Sequence, residues 1–234
     1  LKKMSASILF LFFVAAAMLL PRDASPYSYS AWGPMSGART LSVNPLVYGP
    51  VNDFGLSTDL VVSYGFTDRF DIFVDLASLD VAPEFGYAGS WVMPRVGLGE
   101  NHVLGLQMGF DSVDPFSFYL APQYHFFGEN EKLALEFNLG VYVPFSEPET
   151  SEIYAVAAPV YKVKSDVFAL YVEVDPYYTF GADGGFGLNI VPGLWLGFGE
   201  EAAHQVSFGL ILESVTSGDL SLSYGFWYWT SFSL

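Results

Sequence analysis

Lys132-Leu133-Ala134-Leu135-Glu136-Phe137-Asn138-Leu139-Gly140-Val141-Tyr142-Val143 decides the fold. Leu, Leu, Phe, Leu, Val and Val hold the odd positions, while Lys, Ala, Glu, Asn, Gly and Tyr hold the even ones. A two-residue period sends one set of side chains to each face of an extended strand. A helix would need apolar residues at i+3 and i+4, and the stretch lacks them. Working outward, Ser63-Tyr64-Gly65-Phe66 alternates in the same way, turns at Thr67-Asp68, and resumes as Phe70, Ile72, Val74 and Leu76 with Arg69, Asp71 and Asp75 between. The period predicts about twelve strands, roughly at 39–48, 57–66, 69–79, 90–98, 102–111, 116–127, 132–144, 152–163, 166–177, 186–198, 203–214 and 219–233. Strands of this length suit a tilted crossing of a bilayer.

Composition limits what such a sheet can do. The 234 residues are 52% hydrophobic and 18% aromatic but only 15% charged, with 9 Lys+Arg against 25 Asp+Glu and no cysteine. Disordered chains are rich in charge and poor in aromatics, so disorder is excluded. A net charge of −16 repels a phosphate backbone, which argues against nucleic acid as a partner. Disulfides, cysteine metal ligands, a cysteine nucleophile and cysteine lipidation are impossible.

The chain opens with Lys2-Lys3 and an apolar run from Ile8 to Leu20, closed by Pro21. A basic start and a run of this length match a secretory signal peptide, and the run is shorter than a spanning helix. Ser28 and Ser30 before Ala31 place small residues at the two selective positions of a cleavage site, so residues 1–30 are expected to be a signal peptide and 31–234 the barrel domain.

Two further patterns predict where the sheet sits. Connections after even strands are tight and polar, as at Thr67-Asp68 and Lys164-Ser165. After odd strands they are expected to be longer, as in Asp80–Gly89, Pro144–Ser151 and Thr179–Gly185. Short turns at one end and longer loops at the other are the asymmetry of outer-membrane barrels. One face collects Leu60, Val62, Tyr64, Phe66, Phe118, Leu120, Phe168, Leu170, Val172, Val174, Val206, Phe208, Leu210 and Leu212. The other collects Asp59, Asp71, Asp75, Arg95, Gln107, Gln123, His125, Glu136, Asn138, Glu173, Asn189, Gln205 and Glu213. A soluble sandwich or lipocalin would bury the first set and display the second. The second set is poor in Lys, unlike the charged surface of a soluble β-protein. Tyr48, Tyr64, Phe66, Phe126, Phe127, Tyr177, Tyr178 and Phe198 gather near predicted strand ends as an aromatic girdle would. The reading is therefore all-β: a transmembrane antiparallel up-and-down barrel, with the polar set as candidate pore lining.

On these features the chain resembles bacterial outer-membrane β-barrel proteins. Its final alternation, Tyr224, Phe226, Tyr228, Thr230, Phe232 and Leu234, resembles the C-terminal signal read by barrel-assembly machinery, with Leu234 where that signal usually carries Phe. Tyr64-Gly65-Phe66-Thr67-Asp68-Arg69-Phe70-Asp71-Ile72 looks like a hairpin common in transporter-like barrels, including the phenol-degradation meta-pathway group. The resemblance implies residence in the bacterial outer membrane, with lipid, lipopolysaccharide and the assembly machinery as partners. Arg69 is expected to snorkel or to pair with Asp71 or a neighbouring strand.

Pro94, Pro122, Pro159 and Pro192 fall inside even strands. Because proline donates no amide hydrogen, they are expected to mark bulges. Signals for catalysis are sparse. Only His125 points inward from a strand, with Ser117 on its face but distant along it, and His102 and His204 sit at predicted turns. Asp71 and Asp75 would lie about 13 Å apart, too far to share a transition metal. The loop acids Glu147, Glu149 and Glu152 read as a solvated rim. No cofactor is expected. Inward acids (Asp59, Asp71, Asp75, Glu136, Glu173, Asp175, Glu213) outnumber inward bases (Arg69, Arg95, Lys132, Lys162), and an acidic lining attracts cations. Inward Phe73, Trp91, Tyr119, Tyr142, Tyr171, Trp195 and Trp227 would stack on a solute or fill the bore. The leading expectation is a narrow passive, porin-like channel for small neutral or cationic solutes and not an enzyme. The alternatives are a structural or surface-exposed envelope barrel and a lipid-acting barrel enzyme.

Overall fold

A computed structural model describes residues 32–51, 55–113, 116–164, 167–182, 184–199, 204–216 and 220–234. The signal peptide and its cleavage site lie outside these residues. Twelve strands, β1 (Thr40–Pro50), β2 (Leu56–Thr67), β3 (Phe70–Ala82), β4 (Gly86–Gly97), β5 (His102–Val113), β6 (Phe116–Glu129), β7 (Leu133–Pro144), β8 (Glu152–Lys164), β9 (Phe168–Thr179), β10 (Gly185–Phe198), β11 (His204–Glu213) and β12 (Ser221–Ser233), are accompanied by one 3-10 turn at Pro148–Thr150. Each pairs antiparallel with its neighbours in sequence, and β1 closes on β12 through Leu41–Phe232, Val43–Thr230 and Val47–Phe226. Closure leaves no sheet edge, which is what hydrocarbon demands of a β-structure.

The alternation is oriented as lipid would require. Leu133, Leu135, Leu139, Leu170, Val172, Leu196 and Leu210 are exposed on the outer wall, while Asp71, Arg95, Glu136 and Glu173 are completely buried inside. So large an apolar exterior would be unfavourable in water by about 25 cal/mol for every Å², and it far exceeds the patches monomeric soluble proteins tolerate. The folded chain is expected to stay monodisperse in detergent micelles and to aggregate when detergent is removed, as analytical ultracentrifugation would record.

Three expectations need correction. One of the longer loops is short, because its strands run on: β3 reaches Ala82 and β4 starts at Gly86, so only residues 83–85 remain of the anticipated Asp80–Gly89 loop, whereas residues 145–151 and 180–184 do separate β7 from β8 and β9 from β10. The girdle is thinner than expected. Tyr48 turns inward to hydrogen-bond Asp59, Phe127 packs against the inner cluster of Val160 and Trp195, and Tyr177 faces an internal cavity, while Phe66, Tyr178 and Phe198 do face out. Neighbours in a strand point to opposite faces, so a pair such as Phe126-Phe127 contributes only one ring to the exterior.

The prolines are not bulges. Pro94, Pro122, Pro159 and Pro192 stand in unbroken register with Ile72, Leu106, Leu135 and Val172. The register shifts lie elsewhere, chiefly in β2, β3 and β5. Each proline instead interrupts the ladder with its other neighbour and leaves the register the same on both sides. Pairing lapses between Val92–Met108 and Arg95–Gly105, Leu120–Val143 and Gln123–Gly140, Ala157–Val174 and Val160–Tyr171, and Ile190–Leu212 and Gly193–Gly209. Pro45 and Pro176 do the same between β1 and β12 and between β8 and β9. With the amide hydrogen missing a rung is lost, but the flanking rungs fix the alignment.

Candidate functional site

The bore is occupied by the chain itself. Ahead of β1, residues 32–36 run inside the barrel and reach strands on opposite walls. The Trp32 indole meets Phe73 of β3, Trp91 of β4 and Trp227 of β12 edge-on at 5.3–5.8 Å. Its backbone amide donates to the side-chain oxygen of Asn138 on β7 at 2.9 Å. Such T-shaped contacts add to burial because each ring edge meets a neighbour's electron-rich face. The chain then leaves the bore through left-handed turns at Gly37 (φ +76°) and Arg39 (φ +59°). There Arg39 N–H donates to Gly65 O at 2.7 Å, and a Cβ on Gly65 would strike the Gly37 carbonyl.

Arg95 anchors this plug. Its Nε and Nη2 hold the two Asp71 oxygens at 2.9 and 2.7 Å, while Nη1 and Nη2 donate to the Gly33 and Pro34 carbonyls at 3.0 and 2.9 Å. The guanidinium also lies 4.2 Å from the Phe73 ring centroid. Asp71 completes the joint by accepting from Ser36 N–H at 2.8 Å. A fork of charge-assisted bonds on a carboxylate is the geometry for which arginine is suited. Asp71 therefore takes its partner from β4, and Arg69 stands exposed at the turn, as does Lys132, so neither supplies an inward base.

The remaining polar set divides by local bonding. Asn138 donates through its nitrogen to His125 Nδ1 at 3.0 Å. Gln123 Nε2 donates to Gln107 Oε1 (2.7 Å), and Gln107 Nε2 to the Tyr119 hydroxyl (2.9 Å). Asp75 accepts from Ser78 and Ala77, Asn189 from Ser214 N–H, Glu213 from Ser221, and Gln205 from the Trp195 indole. Asp59 is half-buried beside Tyr48. Glu136 and Glu173 are buried at one level, on the strands either side of Ala158. Nine of the thirteen are buried, and Asp59, Gln107, Asn189 and Glu213 are partly buried. Only Asp71, Arg95, His125 and Asn138 gather at the plug. Lys162 pairs with Glu129 near the turn end.

Beyond the plug, toward the β7–β8 and β9–β10 loops, lies a cavity of about 220 Å³ bounded by Trp32, Gln123, Asn138, Glu152, Tyr154, Asp175, Tyr177 and Asn189 among others. The inward tyrosines leave it room because each lies against the wall over a glycine directly opposite: Tyr154 over Gly140, Tyr177 over Gly187 and Tyr171 over Gly193. A side chain at any of these glycines would occupy the ring's place. Among the described residues His125 hydrogen-bonds Asn138, while Ser117 bonds Ser146 and Ser207 bonds Tyr171. The sequence reading did not anticipate the plug residues Trp32 to Ser36 or the cavity walls Tyr154 and Tyr177, and it took Glu152 for a rim acid.

A closed twelve-stranded barrel with a lipophilic exterior and carboxylates, amides and an arginine enclosed has the architecture of bacterial outer-membrane β-barrels. No family model matches the chain, and no curated protein does. Solved structures are similar in fold. The NanC porin matches with a TM-score of 0.57 at 12% identity over 83% of this chain and 100% of its own. An outer-membrane channel of Pseudomonas putida F1 matches with a TM-score of 0.57 at 13% identity over 90% and 100%. The KdgM porin, solved in complex with disordered oligogalacturonate, gives 0.55 at 12% over 82% and 99%.

Proposed function

We propose that this barrel is a narrow outer-membrane channel for small neutral or cationic solutes, held closed by its own N-terminal segment. The observation that carries the reading is the imbalance of enclosed charge. Among the described residues the one arginine in the middle of the bore is committed to Asp71 and to the plug carbonyls, while Asp59, Asp75, Glu136, Glu173, Asp175 and Glu213 are wholly or partly buried. Enclosed carboxyls favour cations and repel anions in a medium that screens poorly. The porin and channel folds among the similar structures agree with a transport role. An anion track of arginines, which an acidic sugar would need, has no counterpart among these residues.

Planar-bilayer recording of the refolded protein in a KCl gradient tests the proposal. The chain lacking residues 32–38 is expected to give steps several-fold larger or more frequent than the full barrel, with a reversal potential on the potassium side. Absence of steps from both forms, each shown to be folded, would favour the structural barrel. A chloride-selective pore would contradict the charge argument.

A further inference from the structure

The geometry points to the cavity above the plug as a binding site for a small organic ammonium ion. The proposal rests on the channel reading for how a solute comes to reach the cavity, and it adds the chemistry of that solute. Two buried acceptors on the cavity walls have no protein partner. Gln123 is 5% exposed; its nitrogen is spent on Gln107, and its Oε1 is buried with no protein partner. Asp175 Oδ1 is also buried without a partner. Glu152 commits one oxygen, Oε2, to the Thr179 hydroxyl at 3.2 Å. Among the described residues no Lys, Arg or His borders the space.

A buried acceptor left unfilled costs about 1–3 kcal/mol, so the complementary guest brings N–H donors and positive charge. An ammonium group offers up to three donors, the kind of partner that Gln123 Oε1 and Asp175 Oδ1 lack. Trp32, Tyr154 and Tyr177 supply aromatic surface for its alkyl part, and rings with a negative face favour a neighbouring cation. The volume of about 220 Å³ equals roughly seven waters, so the guest is small. A hard metal ion is a poorer match, because an amide oxygen and two separated carboxyls do not make a compact shell, and the described residues hold no group of three metal-ligating side chains.

Calorimetry on the full folded chain in detergent tests this with n-butylammonium as the probe and butan-1-ol and butyrate as matched neutral and anionic controls. Butylammonium is expected to bind and the controls not to. Asp175→Asn and Gln123→Leu should each weaken binding at least tenfold, the size expected for losing a charge-assisted hydrogen bond. Glu149→Gln, in the exposed 3-10 turn, should leave it unchanged. Equal binding of butan-1-ol, or full affinity in both cavity variants, overturns the proposal, as does displacement of the amine by potassium at equal concentration. Because binding is read without transport, a folded barrel that binds butylammonium but never conducts would defeat the channel reading alone. One that conducts potassium without binding the amine would defeat only this inference.

Discussion

Replacing Arg95 with methionine is expected to destabilise the barrel by about 3–5 kcal/mol, the penalty for breaking a buried ion pair from one side. Asp71 would keep only the Ser36 amide, and the Gly33 and Pro34 carbonyls would lose their donor inside the bore. The shift in urea midpoint, followed by tryptophan fluorescence in micelles, measures the loss. The double variant Arg95→Met/Asp71→Leu should recover much of that stability, since removing both charges leaves neither stranded. It should not recover closure, because the plug would still lack its anchor. Both variants are therefore expected to conduct more than the parent, and only the single one to be markedly less stable. Arg95→Lys keeps the charge without the planar fork and should fall between. A single variant as stable as the parent would mean that the guanidinium does not hold the joint.

Gly187→Val should act on the other half of the lumen. Its new side chain would occupy the place of the Tyr177 ring, which must then swing off the wall into the cavity. Overpacking of this kind costs about 1–3 kcal/mol, and the displaced ring should abolish butylammonium binding. Tyr177→Ala in the same background is expected to restore the unfolding midpoint, a coupling that a double-mutant cycle isolates because the two residues face each other across β9 and β10. If Gly187→Val alone leaves both stability and amine binding intact, the ring has another resting place and the wall-packing account fails.

Most of the frame was legible in the chain and most of the interior joinery was not. Period-two patterning survives in isolation, so the run from Leu133 to Val143 announced its strand and both its faces, and nine of the thirteen residues in the polar set are buried. Strand ends were less visible because Gly and Pro read as loop. Gly86-Tyr87-Ala88-Gly89 nevertheless continues β4, with Tyr87 and Gly86 paired to Leu79 and Asp80. The plug carries no period. Trp32-Gly33-Pro34 looks like a linker after a leader, and what gives it structure is Arg95, more than sixty residues away. The tyrosine–glycine pairs are likewise invisible along one strand, since each depends on cross-strand register. Pairings of that sort can be read only once the sheet is closed.

The interrupted rungs at the prolines fall in a pattern with a dynamic consequence. The seams β4·β5, β6·β7, β8·β9, β10·β11 and β12·β1 contain them, whereas the hairpins β5·β6, β7·β8, β9·β10 and β11·β12 do not. The cylinder is thus a ring of well-knit hairpins, with β1–β4 as one larger panel, joined along weaker lines. Deuterium should enter the backbone amides first along those lines, beside Pro94, Pro122, Pro159 and Pro192, while the hairpin interiors stay protonated far longer.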